Sequence, residues 1–334
     1  MGYRMSLPGL DRVMAALGET YDIYAPTASD RGEAPQIRYG RVESARQIEL
    51  GGQSADSPKS VVFPPLQTMF RFEGGRFEES AADGRGRILF ARPCDVNGIL
   101  RLDRIFLENG GRREYFYDRL RQKLKIFLIE CLEGFEGCFC ASVGANQADC
   151  YDVALRLGGG DVLAAVKNPD FEPFFRACEP CDFTPGSLRG NAKTVRLPAF
   201  DDGDLPGIHA LPLWGEAAEN CVGCGSCNAV CISCSCFDTT DVLYDEKGLS
   251  GERRRAWAGC MQEDFALVAG GGNVRKDAAD RMRFKVLHKV HGFHRRFGAG
   301  HMCVGCGRCD ARCPEDISFS GTVDKLAEAL KNES

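Results

Sequence analysis

The chain has 334 residues, 18 of them cysteine, and a formal net charge of -5 at pH 7. A length of this order predicts two domains with real cores, and the slightly acidic balance gives no sign of a nucleic-acid-binding protein. No apolar run approaches the roughly 20 residues that a membrane span needs, and the first residues lack the apolar core of a signal peptide. We therefore expect a cytoplasmic protein with no membrane association, whose thiols stay reduced.

The N-terminal part, predicted as residues 1–214, has the pattern of an α/β domain with a mixed sheet. A short amphipathic helix is predicted for LDRVMAAL, and strands for YDIYAP and QIRYGRV. Two buried strands are predicted for RILFARP and LKIFLIEC, with helical patterns between them. Strand, helices, strand is typical of a parallel crossover unit.

A loop-rich segment from about Pro185 to Pro212 separates this domain from the cysteine-rich remainder, and we place the boundary near Trp214. Residues 215–334 are predicted as a mainly helical, ferredoxin-like domain. It contains a basic helical segment from about Ala278 to Phe297 and a short closing helix, GTVDKLAEALKN.

Two cysteine runs in this second domain repeat one spacing, NCVGCGSCNAVC and HMCVGCGRCDARCP. This is the spacing of bacterial ferredoxins, in which three thiolates hold one 4Fe-4S cube and the fourth ligates the other. The predicted ligand sets are therefore Cys221, Cys224, Cys227 and Cys313 for one cluster, and Cys303, Cys306, Cys309 and Cys231 for the second.

Thiolates suit this chemistry because each of the four irons in a cube needs a soft ligand. Gly223, Gly225, Gly305 and Gly307 allow amide groups to approach the sulfides, which stabilises the reduced cube. Zinc is the competing interpretation, but the third cysteine at the same spacing and the Cys-Pro ending of the second run favour iron. The first run departs from the pattern, since Ile232 stands where proline is usual.

A further set of cysteines is predicted at the edge of the α/β sheet. Cys94 follows one buried strand and Cys131 ends the next, so parallel pairing would bring both to the carboxyl edge, where such folds place ligands. Cys138 and Cys140 follow in a loop from that edge. These four cysteines are predicted to hold a third cube, with Cys150 as an alternate ligand, although buried free cysteines also serve as small apolar residues.

The remaining cysteines carry weaker predictions. Cys234, Cys236 and Cys260 form a possible further site, for which His288 is a candidate fourth ligand. Cys178 and Cys181 are a lone pair in a loop. The glycine-rich stretches RLGGGDVL and VAGGGNVR lack the spacing of a dinucleotide or phosphate loop, so they are predicted as turns.

The segment from Arg275 to Arg296 carries eight Lys and Arg residues against two Asp. Three interpretations fit such a run: a solvated helix face, a docking surface for an acidic partner, or counter-charge for anionic clusters. The sequence leaves these open.

Four motifs, in this order and spacing, resemble the iron-sulfur component of anaerobic sulfite reductase: FARPCDVNGILRLDRIF, FLIECLEGFEGCFCASVG, GERRRAWAGCM and HMCVGCGRCDARCP. The β subunits of cytoplasmic sulfhydrogenases share the RPCD and CFC elements, and the run GANQADCYDVALR favours the sulfite reductase. The resemblance covers nearly the whole chain from about residue 20 onward. It implies a non-catalytic iron-sulfur subunit that works beside two others, an FAD- and NAD(P)H-binding reductase subunit, and a siroheme subunit that reduces sulfite.

We expect electron transfer, one electron at a time, from the flavin subunit to the siroheme subunit. The alternatives are the same relay in a hydrogenase or sulfhydrogenase, and a stand-alone multi-cluster carrier.

Overall fold

The computed structural model describes residues 1–29, 35–80, 84–158 and 160–332. They fall into two compact units. The first comprises residues 1–63, 83–193 and 304–306, and the second comprises residues 64–82, 194–303 and 307–334. The main division thus lies at residue 193, about twenty residues before the predicted boundary at Trp214. The first unit also includes residues 304–306, and the second also includes residues 64–82.

The strands of the described residues are β1 (Gly2–Ser6), β2 (Tyr21–Ser29), β3 (Gln36–Arg41), β4 (Leu66–Glu73), β5 (Arg76–Glu79), β6 (Gly86–Ala91), β7 (Leu124–Ile129), β8 (Val153–Arg156), β9 (Asp161–Val166), β10 (Glu179–Cys181), β11 (Phe237–Leu243) and β12 (Ser250–Trp257). The α-helices are α1 (Leu7–Gly18), α2 (Pro93–Leu107), α3 (Tyr115–Gln122), α4 (Glu172–Phe175), α5 (Leu205–Ala210), α6 (Leu213–Ala218), α7 (Ser226–Ala229), α8 (Ala278–Leu287), α9 (Phe293–Phe297), α10 (Arg308–Ala311) and α11 (Phe319–Asn332). A π-helical turn, His288–Gly292, joins α8 to α9.

The first unit is built on a mixed sheet in the order β10-β1-β9-β8-β7-β6-β2-β3. The four central strands, β2, β6, β7 and β8, are parallel, and the outer strands are antiparallel. Between β6 and β7 the chain passes through α2 and α3. The predicted mixed α/β sheet and its crossover unit are therefore confirmed.

Helix α1 shows how this sheet acquires its core. The Ser6 hydroxyl accepts from the Gly9 amide at 3.3 Å and caps the helix, and Pro8 stands in the first turn, where it is tolerated. Leu10, Val13, Met14 and Leu17 recur at helical spacing and are buried against the strands.

The second unit contains a four-stranded antiparallel sheet in the order β11-β12-β4-β5. The prediction of a mainly helical C-terminal domain is thus not supported. Two hairpins far apart in the chain, residues 66–79 and 237–257, meet through the pairing of β12 with β4. The basic segment is helical from Ala278 to Phe297, and α11 closes the chain, as predicted.

Across the ranges given above, none of the helices combines the length and apolar character needed to cross a bilayer.

Candidate metal centres

The two cysteine runs adopt the same local backbone. Gly223 and Gly225 in the first run have φ of +68° and +72°, and Gly305 and Gly307 in the second have +63° and +75°. Residues with a Cβ are strained in this left-handed region, so glycine is needed at each point. Each run then enters one short helix, α7 or α10, directly after its second glycine.

These two short helices pack together in the second unit, and this brings the fourth cysteine of the second run to the first run. The hydroxyl of Ser226, next to Cys227, donates to the carbonyl of Arg312, next to Cys313, at 3.1 Å. One cavity is lined by the predicted ligand set Cys221, Cys224, Cys227 and Cys313. Its other walls include Met261, Met282, Ile317, Phe319, Lys285 and Cys309.

Two members of the second predicted set lie around Lys289 in the second unit. The Lys289 ammonium donates to Cys231 Sγ at 3.3 Å, and its backbone carbonyl accepts from the Cys303 amide at 3.4 Å. Cys306 belongs to the segment that is grouped with the first unit, whereas Cys309 is in the second. The set Cys303, Cys306, Cys309 and Cys231 therefore stays a prediction from the spacing.

Two lysines in the basic helix are buried among these thiols. Burial by itself lowers the pKa of Lys285, but the negative charges of Cys227, Cys309 and Cys260 outweigh it, and the pKa stands above its usual value. Burial likewise acts to lower the pKa of Lys289, and the thiolates of Cys231, Cys234 and Cys303 more than offset it. Both pKa values are thus shifted in the direction that favours the charged ammonium form.

The third predicted site lies at the carboxyl edge of the mixed sheet. Strands β6 and β7 are parallel, and Ala91 lies opposite Leu128. Cys94 comes three residues after Ala91, and Cys131 comes three residues after Leu128. Cys94 stands in the first turn of α2, and Cys131 forms an isolated bridge with Ser187. The condition on which the prediction depends, parallel neighbouring strands, is confirmed.

The loop that carries Cys138 and Cys140 folds over the same edge, and both cysteines are buried. Burial raises the pKa of Cys140 to about 11, with further contributions from the neighbouring charges of Cys138 and Cys131. Burial also raises the pKa of Cys131. The charge of Arg92 lowers this pKa and the charge of Asp95 raises it, and these two residues lie on either side of Cys94 in the sequence. The thiols of Cys131, Cys138 and Cys140 thus share one neighbourhood, close to the turn that carries Cys94.

Asn191 fixes this loop. Its Oδ1 accepts from the Ala141 amide at 2.8 Å and from Cys140 Sγ at 3.6 Å. Within the described part of the chain, the Nδ2 of Asn191 is buried and has no hydrogen-bond partner. A buried amide donor beside the thiols fits a group that carries negative sulfur atoms.

The same loop contacts the short segment 304–306 within the first unit. The Phe139 amide donates to the Gly305 carbonyl at 2.7 Å, and Cys138 Sγ lies 3.7 Å from the carbonyl oxygen of Cys306. The side chain of Gln53 donates to that carbonyl as well and to Cys138 Sγ at 3.6 Å.

The thiols are not arranged as single-ion sites. Among residues 1–29, 35–80, 84–158 and 160–332, no three His, Cys, Asp or Glu side chains converge in a way that could hold one metal ion. A cube of four irons places its ligands farther apart than one zinc ion does, because each thiolate binds a different iron. The cysteine-lined cavity with apolar walls fits such a cube.

Cys150 lies at the other end of the sheet from Cys131. It lines a cleft with Leu124 and Lys125, the first residues of β7, and the neighbouring Asp152 amide donates to Ile126 at 2.8 Å. Because the six residues of β7 span roughly 20 Å, Cys150 is remote from the thiols at the carboxyl edge. This placement disfavours Cys150 as the alternate ligand.

Cys178 packs against the sheet core, with its Sγ 3.8 Å from the sulfur of Met5, and Cys181 lies in edge strand β10. Both therefore contribute to the structure of the first unit.

The possible further site in the second unit is only partly assembled. The side-chain amide of buried Asn228 donates to Cys234 Sγ at 3.5 Å and to Cys260 Sγ at 3.3 Å. Cys236 is less buried, and His288 stacks on Phe284 with its side chain exposed to solvent. The side-chain amide of Asn228 thus links Cys234 to Cys260, whereas His288 packs on Phe284 instead.

Comparison with known proteins adds two findings. Residues 220–317 match the family described as a 4Fe-4S dicluster domain. The whole chain is similar to the protein named sulfhydrogenase 2 subunit beta from Pyrococcus furiosus, with 32% identity over 94% of this chain and 95% of that protein. This chain belongs to the sulfhydrogenase beta-subunit family. No solved structure gives a significant match.

Membership in this family and the dicluster domain establish an iron-sulfur electron-transfer subunit with several 4Fe-4S clusters. These findings favour the sulfhydrogenase alternative among the functions that the sequence suggests. The sulfite reductase assignment is not confirmed.

Counter-charge for the clusters is one of the three interpretations of the basic segment, but the sequence does not single out which residues surround the clusters. The pattern of the basic segment does not reveal that Lys285 and Lys289 point inward, whereas Arg295 remains exposed beside Asp202. Asn191 and Gln53 lie in loops far from the cysteines in the chain, and no sequence signal marks them.

Proposed function

We propose that this chain is the electron-transfer subunit of a multi-subunit hydrogenase of the sulfhydrogenase type. The similarity to a sulfhydrogenase beta subunit over 94% of the chain carries this proposal. Clusters of this kind accept and release one electron at a time, which suits a relay between a two-electron donor and an acceptor. The chain itself performs no bond-making step.

The ligands that we propose are three sets of four cysteines. Two sets are of the ferredoxin type, Cys221, Cys224, Cys227 and Cys313, and Cys303, Cys306, Cys309 and Cys231. The third is Cys94, Cys131, Cys138 and Cys140. The shared cavity supports the first set, the spacing supports the second, and the parallel strands with the overlying loop support the third.

The third cluster would exchange electrons with the cluster that uses Cys306. Support comes from the first unit alone, where Cys138 Sγ approaches the Cys306 carbonyl oxygen and Gln53 donates to both residues. This contact, within the first unit, joins the sheet edge to the segment that carries Cys306.

The partners that we propose are two further subunits. One is a hydrogen-activating catalytic subunit, and the other is a reductase subunit that binds FAD and NAD(P)H. The glycine-rich stretches of this chain lack the spacing of a dinucleotide loop, which is consistent with a nucleotide site on a separate polypeptide. RLGGGDVL contains the last residue of β8 and the first residues of β9, and VAGGGNVR lies at the bridge between Leu267 and Asn273.

The iron-sulfur component of an anaerobic sulfite reductase is the second candidate, favoured by the motif GANQADCYDVALR. In that case the acceptor would be a siroheme subunit. This motif begins beside the third proposed site, where the Ala145 amide donates to the Cys140 carbonyl at 2.9 Å, and it ends in β8.

The test is to isolate the native complex of this chain anaerobically, identify its subunits and record EPR spectra. Cluster reduction by hydrogen gas is expected, with a hydrogen-activating partner present. Oxidation of the reduced clusters by sulfite, with sulfide formed and no response to hydrogen, would replace the hydrogenase assignment by the sulfite reductase one. A monomer without partners would contradict both.

A further inference from the structure

Two lysines in the second unit occupy positions where lysine is rarely found. Lys285 lies in α8 and Lys289 in the π-helical turn that follows, and only 3% and 4% of their surfaces are exposed. Lysine is almost never buried to this extent without a charged partner. π-Helical turns inside α-helices are frequent at functional sites.

Sulfur atoms of the proposed ligands are the partners of these lysines. Lys289 Nζ donates to Cys231 Sγ at 3.3 Å and to the Ser233 hydroxyl at 3.4 Å. Lys285 lines the same cavity as Cys227 and the other proposed ligands of the first ferredoxin-type cluster.

The two lysines are four residues apart, so they project from one side of the helical segment. Each nonetheless lies against a different proposed ligand set. Lys285 lines the cavity of the first set, together with Cys309. Lys289 Nζ donates to Cys231 Sγ of the second set, and the Lys289 carbonyl accepts from the Cys303 amide. One helix therefore presents a separate positive charge to each proposed ferredoxin-type cluster.

Reduction adds a negative charge to a cube, and a nearby positive charge stabilises the reduced form. The effect is larger in a buried site than in water, because the low local dielectric strengthens the attraction. We infer that Lys285 and Lys289 tune the two ferredoxin-type clusters separately, each raising the reduction potential of the cluster that it faces. This inference rests on the proposed electron-transfer role and on the proposed ligand sets.

The charge of each lysine can be removed with little change of shape. Lys285→Met and Lys289→Met are made in the full-length chain, purified anaerobically and titrated with EPR detection of each reduced cluster. Lys285→Met should lower mainly the potential of the cluster on Cys221, Cys224 and Cys227, and Lys289→Met mainly that of the other. We expect at least a tenfold change in the reduction equilibrium, which is about 59 mV for one electron.

The controls separate charge from packing. Lys→Arg at each position keeps the charge and should retain most of the native potential, and Lys→Gln keeps a hydrogen-bond donor without the charge. Lys325→Met removes an exposed charge that pairs with Glu216, and should leave both potentials unchanged.

Unchanged potentials in Met or Gln variants with full iron content would overturn the inference. Loss of iron from the Met and Gln variants, with the Arg variants intact, would support charge compensation of the clusters. Loss of iron from the Arg variants as well would show a packing role and overturn it. The potentials are measured on the isolated chain, so a failure of the hydrogenase assignment leaves this test unaffected.

Discussion

The hydroxyl of Ser226 donates to the carbonyl oxygen of Arg312 at 3.1 Å and so joins the first cysteine run to the end of the second. The bond places Cys313 beside Cys227 although 86 residues separate the bonded pair in sequence. The exchange of fourth ligands that the spacing predicts thus has a geometric counterpart in the shared cavity.

We predict that Cys313→Ser disturbs the cluster built on Cys221, Cys224 and Cys227, because the variant removes the ligand that the second run lends to the first. EPR spectra of the anaerobic protein should show that signal altered and the other retained. Cys231→Ser is the matched control and should give the reverse. A change confined to the cluster of Cys303, Cys306 and Cys309 in the first variant would contradict the assignment.

The double variant Cys138→Ala, Cys140→Ala should lose about four irons, one cube, while both ferredoxin-type signals persist. The reason is that these buried thiols share the sheet edge with Cys131 and, by the strand register, with Cys94. Cys178→Ala, whose thiol packs near Met5 in the core, should keep its full iron content. Unchanged iron in the double variant would show that Cys138 and Cys140 only fill space.

Asn191→Ala should weaken the third cluster more than it weakens the fold. The variant removes the acceptor that holds Ala141 and Cys140, at a cost of about 1 kcal/mol in stability. Iron loss and bleaching of the third cluster on brief air exposure should be faster than in the wild type.

Asn146→Ala is the control for this variant, because the Asn146 side chain donates to a backbone carbonyl, that of Leu188, at 2.7 Å. Its thermal stability should fall by a similar amount while the bleaching rate stays native. Equal bleaching rates in both variants would remove any specific role for Asn191.

Gly305→Ala should be much more harmful than Gly298→Ala. Both glycines have positive φ, +63° and +60°, so alanine costs about 1–2 kcal/mol of backbone strain at either position. A Cβ on Gly305 would lie 2.6 Å from the carbonyl atoms of Phe139, whereas one on Gly298 meets nothing within 4 Å. The melting temperature of Gly305→Ala should therefore be lower than that of Gly298→Ala, and Gly305→Ala should also lose more iron. Equal melting temperatures would contradict the close contact between Gly305 and Phe139.

Parts of this architecture follow from local patterns. The apolar runs RILFA and LKIFLI, with amphipathic helices between them, are sufficient to predict the parallel pair β6 and β7 and the position of Cys94 and Cys131. The repeat of the cysteine spacing likewise predicts the cavity formed by the first run and Cys313.

Other parts depend on long-range pairing that local patterns do not carry. Strand β12 contains three consecutive arginines, Arg253–Arg255, so its sequence lacks a clear apolar alternation, and its partner β4 is almost two hundred residues away. Distance along the sequence suggests that Cys150 lies near Cys131, but the chain must return to the opposite edge of the sheet before it can begin the parallel strand β8.

The most direct measurement is iron and acid-labile sulfide analysis, with EPR spectra, on full-length protein purified anaerobically and reduced with dithionite. Three proposed cubes predict about twelve irons and about twelve sulfides per chain, with signals from both ferredoxin-type clusters and a third that Cys138→Ala, Cys140→Ala removes. About eight irons, unchanged in that variant, would contradict the third centre. Bound zinc in place of iron would contradict the iron-sulfur assignment as a whole.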